Sequence, residues 1–234
     1  MLGLLGLSVA AFAKLAEEVT SREWVVTFDG TVATWLHEHA GGFPTTLLRL
    51  ATELGSPVAI LALSVGTVAA LLLRRSRLQA AFTGVAVAGG EGLNLLLKAA
   101  FERPRPSFSD PLATAGGFAF PSGHAMISLV VYGGIGTLIS ARLVSRRRRG
   151  LLLGGLALVV LAVGFSRVYL GVHYVSDVLA GYSAGLAWLA ACGLAFHSSR
   201  SWRRRASILV LAALLSLLAR RGAKIAFSRR VSGL

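Results

Sequence analysis

The sequence predicts an all-α, multi-pass membrane bundle of about six spanning helices, with an outer interfacial helix or hairpin and a short C-terminal interfacial helix. Three observations carry that expectation. The 234 residues are 55% apolar and only 15% charged, against about 25% charged in soluble domains, and mean hydropathy is +0.70. Five apolar runs, at residues 55–73, 78–97, 125–141, 150–166 and 178–196, approach the roughly 20 residues a helix needs to cross the hydrocarbon core. Half of the 24 Lys and Arg residues fall in three clusters, RRSR at 74–77, RLVSRRRR at 142–149 and RSWRRR at 200–205, each just after an apolar run.

The N-terminal run at 2–19 is weaker, because it holds Lys14, Glu17 and Glu18. It has small residues at Ala11 and Ala13 but no basic start, so it reads as a first helix rather than a cleaved leader. Residues 21–54, with Trp24, Trp35, His37, His39 and Pro44, suit a helix or hairpin in the outer interface, where Trp rings are favoured. Residues 206–219 number fourteen, about 21 Å as a helix, too short to span comfortably. They read as an interfacial helix ahead of a basic tail. One domain is expected, its core at about 20–197.

Starting the first helix in the cytoplasm puts all three arginine clusters on that side, as the positive-inside rule asks. None of the ten Asp and Glu residues falls in those loops. The expected location is the cell (inner) membrane. A formal charge of +14 would suggest nucleic acid in a soluble protein; placed this way it reads as topology, and no nucleic-acid partner is expected. The single cysteine, Cys192, allows no intrachain disulfide, and nothing in the sequence speaks to oligomeric state.

The remaining basic residues between 90 and 178 gather in three short polar clusters at the opposite, outer ends of the helices: KAAFERPRP at 98–106, FPSGHA at 120–125 and SRVYLGVHYVSD at 166–177. Lys98, Arg105 and Arg167 supply cations that match phosphate oxygens. Arg103 reads equally as a further phosphate contact or a solvated side chain. Ser122 and Gly123 read as the opening of a helix, whose free N–H groups favour an anion. His173 and Asp177 are four apart, one face of a helix, so the carboxylate can orient the imidazole. That makes His173 a candidate nucleophile and His124, beside the anion-binding turn, a candidate general acid. Glu91, Asn94 and Lys98 share a helical stripe. An acid within an apolar span calls for a buried partner, so Glu91 is expected to pack inward beneath the site and bond another polar group. His37, His39 and His197 read as interfacial side chains.

In order and spacing the three clusters closely resemble the signature motifs of the membrane type-2 phosphatidic acid phosphatases, or lipid phosphate phosphatases, a superfamily shared with vanadium haloperoxidases. The first motif is Lys98, six residues, Arg105 and Pro106; the second is Pro121 to His124; the third is Ser166, Arg167, five residues, His173, three residues, Asp177. The resemblance implies a hydrolase working without metal or other cofactor on a lipid phosphomonoester or diphosphate at the outer leaflet. In it His173 forms a phosphohistidine, Asp177 orients it, and His124 protonates the leaving oxygen. Lys98, Arg105, Ser122, Gly123 and Arg167 would hold the phosphate. Undecaprenyl diphosphate, phosphatidylglycerol phosphate and phosphatidic acid all fit. A phosphotransferase using the same site is the close alternative. A non-catalytic anionic-lipid binder or transporter would leave the His173–Asp177 pair without a role.

Overall fold

A computed structural model describes residues 1–21 and 24–198. Among them are eight helices and no strand: α1 (Leu2–Ser21), α2 (Trp24–Glu38), α3 (Gly42–Glu53), α4 (Pro57–Leu73), α5 (Arg77–Phe101), α6 (Gly123–Ser140), α7 (Arg146–Tyr169) and α8 (Val175–Ser198). The helix expected at 206–219, the basic tail and the cluster at 200–205 lie outside the described residues.

Local chemistry marks the helix starts. Ser56 caps α4 by accepting from the Ala59 N–H at 3.3 Å, with Pro57 in the first turn; Ser145 caps α7 through the Arg148 N–H at 3.4 Å. Both are side-chain acceptors for N–H groups that have no partner within the helix. The helix α6 is central, packing on α5, α7 and α8. Met126, Ile127 and Val131 of α6 form the core with Leu97 of α5, Val160 of α7 and Ala184 of α8. Large apolar side chains remain exposed along the outer faces, among them Leu61, Leu73, Leu96, Leu151 and Leu158, as a lipid solvent requires.

The expected runs all recur as helices, within a few residues at most boundaries. Among the described residues, helices α5, α6, α7 and α8 are each long and apolar enough to cross a membrane, and α3 with α4, bent by 41°, form either a fifth, broken span or a re-entrant loop. The 20-residue α1 is not among them; it carries Lys14, which pairs with Glu18 at 3.3 Å, and it lies along α8. The segment expected at the interface folds as α2 and α3, with α2 packing on α1, α7 and α8 and α3 on α7. In α2 the positions Val25, Asp29 and Ala33 are buried while Trp24, Phe28 and Trp35 are exposed, the four-residue spacing of one inward helical face.

Helices α6 and α8 approach to backbone contact. A Cβ on Gly181 would lie 2.6 Å from the Ser122 carbonyl oxygen, and one on Gly185 2.7 Å from that of Met126. Small residues four apart allow this approach, and any side chain would push the two helices apart. Gly181→Ala is therefore expected to lose about 1–3 kcal/mol by overpacking and to lower the melting temperature in detergent. In Gly66→Ala a Cβ meets nothing within 4 Å, and that variant should melt at the wild-type temperature or slightly above. Equal melting of the two would dismiss the contact as a determinant of stability.

Candidate active site

The site forms at one end of the bundle, where α5 and α7 finish and α6 and α8 begin. Helix α5 stops at Glu102, which adopts a left-handed conformation (φ 46°) and donates its N–H to the Lys98 carbonyl at 3.0 Å. Pro104 and Pro106 follow, and neither can continue a helix, so Arg103 and Arg105 are delivered on irregular backbone. Helix α7 ends with Tyr169, and Gly171 makes the turn with φ 70°, a conformation suited to glycine. The N–H groups of Val172 and His173 then both donate to the Arg167 carbonyl at 3.2 Å. Arg167 and His173 are thereby tied together before α8 starts. Ser122 caps α6 by position, but its hydroxyl makes no cap bond; its N–H donates to the Asp177 carbonyl at 2.9 Å.

His173 is 2% exposed. Its Nδ1 stands 3.4 Å from Asp177 Oδ2, and its Nε2 3.0 Å from Arg105 Nη1. A guanidinium can only donate, so Nε2 must be the accepting, unprotonated nitrogen, and the ring proton is on Nδ1, directed at Asp177. Asp177 Oδ2 also accepts the Tyr174 N–H at 2.8 Å. Burial lowers the His173 pKa to about 4, with Asp177 opposing the shift, so the imidazole is neutral near pH 7.

Glu91, Asn94, Lys98, Arg105, Gly123, His124, Arg167 and His173 all line one groove of about 1070 Å³, which continues between α4 and α5 along Ile60, Val65, Val68 and Leu72. Three cations and two histidines thus meet at the polar end of an apolar channel. Arg105 is held by the carbonyls of Gly116, Gly117, Phe118 and Val172. Burial lowers its pKa from the usual value, with Asp177 working the other way. Lys98 donates to the Phe118 carbonyl. Arg167 Nη1 bonds Thr52 Oγ1 at 2.9 Å, while its Nε, Ser122 Oγ and Asn94 Oδ1 are buried without a hydrogen-bond partner among the described residues. Gly123 has to be small: a Cβ there would lie 2.9 Å from Asn94 Nδ2. Ser122 and Asp177 sit behind the groove wall, buried, rather than on it.

Two sequence expectations are corrected. Arg103 is neither a groove-lining cation nor a solvated side chain. It is 8% exposed, and its guanidinium bonds Asp177 Oδ1 at 2.6 Å, Ser176 Oγ at 2.7 Å and Asp29 Oδ2 at 2.9 Å. Burial opposes its charge, but the carboxylates of Asp177 and Asp29 outweigh that and raise its pKa. Glu91 does not pack inward. The buried face of α5 is made by Ala86, Gly90, Asn94 and Leu97, and Trp188 of α8 packs on Gly89 and Gly90. Glu91 is rotated off that face; it is exposed, borders the groove and makes no hydrogen bond or ion pair among the described residues.

Asp29, Thr52 and Ser176 were not anticipated. The first could have been found, since an acid between apolar and aromatic neighbours in WVVTFDGTVATW asks for a buried partner. Thr52 and Ser176 carry no such signal. His37 and His39 lie away from the groove, His37 bonded to Asp110 at 2.9 Å and stacked on Phe108, His39 stacked on Trp35. The side chain of His197 is outside the described residues.

The model of the PAP2 superfamily matches residues 79–201, just over half of the chain. Phosphatidylglycerophosphatase B of Bacillus subtilis (strain 168) is 45% identical over 96 residues, 40% of this chain and 46% of that protein. Human dolichyldiphosphatase 1 is 32% identical over 145 residues, 57% of this chain and 59% of that protein. The matches therefore span about half the length of these curated relatives. The crystal structure of a transmembrane PAP2 type phosphatidylglycerolphosphate phosphatase from Bacillus subtilis superposes with a TM-score of 0.74 at 27% identity, over 85% of this chain and 98% of that one. With the matched segment carrying Lys98, Arg105, His124, Arg167 and His173 into one groove, the chain belongs to the PAP2 superfamily.

Proposed function

We propose that the protein is a membrane lipid phosphatase that removes the terminal phosphate of phosphatidylglycerol phosphate through a phosphohistidine on His173. The observation that carries this reading is the arrangement at His173: Nε2 is the unprotonated nitrogen, facing the cationic end of the groove with its lone pair accepting from Arg105, and Nδ1 faces Asp177. The names of the Bacillus subtilis relatives support the substrate, and the apolar channel between α4 and α5 suits acyl chains.

In the first step the phosphate takes Arg105 away from Nε2, and Lys98, Arg105 and Arg167 hold its non-bridging oxygens. Nε2 attacks phosphorus, the bond to the lipid oxygen breaks, and His124 gives that oxygen its proton. A proton on His124 would be a fourth positive charge in a groove with Lys98, Arg105 and Arg167, so the substrate enters as the phosphate monoanion and passes its proton to His124, whose charge the resulting dianion offsets. In the second step the now neutral His124 takes a proton from water, the water oxygen attacks phosphorus, and the P–N bond breaks to free inorganic phosphate. Asp177 stabilises the positive imidazole ring throughout. The cations spread the transition-state charge, and the two buried carboxylates nearest the site both bond Arg103. We therefore expect metal-independent turnover. The arginine clusters at 74–77 and 142–149, at the helix ends away from the groove's polar residues, support an extracytoplasmic site.

Phosphate release by the detergent-purified protein from phosphatidylglycerol phosphate, with undecaprenyl diphosphate and phosphatidic acid alongside, should persist in EDTA. In His173→Ala it should fall by about a thousandfold or more. Activity that survives in this variant, or stops with the chelator, overturns the mechanism; preference for the diphosphate overturns the substrate. A second expectation concerns pH. With the His173 pKa lowered to about 4 from an ordinary value near 6.5, its proton is taken up only at the lower pH. In ¹⁵N spectra the ring should stay neutral and Nδ1-protonated from pH 7 to 5; a titration near 6.5 would contradict it.

A further inference from the structure

Asp29 stands on α2, ahead of the segment the family model covers, yet it is 1% exposed and its carboxylate is fully engaged. Oδ1 accepts the Ser176 N–H at 3.0 Å; Oδ2 takes the Ser176 hydroxyl and Arg103 Nη2, the latter at 2.9 Å. Arg103 Nη1 reaches on to Asp177 Oδ1 at 2.6 Å, and the Tyr174 ring covers the guanidinium at 4.3 Å. Asp29, Arg103 and Asp177 are thus a buried row of negative, positive and negative charge that ends on the His173 ring.

The row has a chemical consequence. An arginine bonded to Asp177 alone would cancel its charge and compete with His173 for the carboxylate. Asp29 engages the other nitrogen of the guanidinium, so the row keeps one net negative charge behind the imidazole. Asp29 also accepts an N–H from the first turn of α8, so α2 is fastened to the helix start that carries Asp177. The other charged or titratable groups around His173 are Lys98 of α5, Arg105 of the following loop, His124 of α6 and Arg167 of α7. All of these face the groove, and the Asp29–Arg103 pair acts from behind.

We propose that Asp29 and Arg103 are positioning residues of the catalytic centre: Asp29 sets how Arg103 divides between two carboxylates, and through Asp177 this sets the orientation and nucleophilicity of His173. The inference rests on the phosphohistidine reading above.

The test is Asp29→Asn in the full chain in detergent, which keeps the shape and removes the charge. The turnover number for phosphate release should fall by about 10- to 100-fold, as when other orienting partners are lost, with KM within about threefold. The low-field proton resonance of His173 Nδ1–H, recorded without substrate, should move upfield as Arg103 draws Asp177 away. Gly66→Ala should leave turnover and resonance at wild type. Ser176→Ala removes a hydroxyl bonded to both Asp29 and Arg103 without changing any charge, and should shift the same resonance by less. A folded Asp29→Asn with wild-type turnover and resonance overturns the proposal. If that variant does not accumulate, an unmoved resonance in both Ser176→Ala and Arg103→Lys overturns it. A wild-type protein inert on every lipid phosphate would instead defeat the phosphatase reading, while the substrate-free resonance still judges the relay.

Discussion

One backbone hydrogen bond, from the Ser122 N–H to the Asp177 carbonyl, joins the start of α6 to the start of α8, and the site is arranged around it. It forms only because Gly181 and Gly185 let the two helices touch along their backbones. With the two starts in register, His124 at the start of α6 and His173 in the turn before α8 face the same groove. The first turn of α8 then brings Asp177 beneath the His173 ring. The geometry at His173 is thus a consequence of helix packing several residues away.

Charge in this bundle is sorted by whether it must be available. In a lipid solvent an uncompensated buried ion is costly, and Asp29, Arg103 and Asp177 meet that cost by satisfying one another. Lys98, Arg105 and Arg167 are treated differently. They are held by neutral carbonyls and a threonine hydroxyl, which fix their positions without cancelling their charge. Such an arrangement leaves net positive potential in the groove, where an anion gains most from it. The groove then continues into apolar walls between α4 and α5, so its charged and apolar parts are spatially separate.

Helices α2 and α3 are part of the end of the bundle that holds the groove's polar residues. Helix α2 supplies Asp29, and α3 supplies Thr52, which bonds Arg167. Both also hold the loop after α5: His37 bonds Asp110, and Arg49 donates to the Leu112 carbonyl. That loop in turn provides the Gly116, Gly117 and Phe118 carbonyls around Arg105. Positioning therefore passes from α2 and α3 to the loop and on to Arg105.

The sequence by itself determined the helices of the bundle, because apolar runs of span length, serine caps and proline stops are local properties of the chain. It also determined the three motif clusters and pointed to the pairing of His173 with Asp177, but not through the helical period: His173 lies in the turn before Val175, and the pair forms across the start of α8. Tertiary structure decided what each remaining charge does. Arg103 and Arg105 are two residues apart and chemically identical; one is sequestered by carboxylates and the other faces the groove, because the backbone after α5 turns them to opposite sides. Glu91 and Asn94 share a stripe by spacing alone, but the packing of Trp188 on Gly89 and Gly90 places Asn94 inside and leaves Glu91 on the groove. Asp29 and Asp177 are 148 positions apart in the chain, and no local rule links them. Only the docking of α2 against α8 brings both carboxylates to the same arginine, since a buried cation takes whichever anions the fold delivers to it.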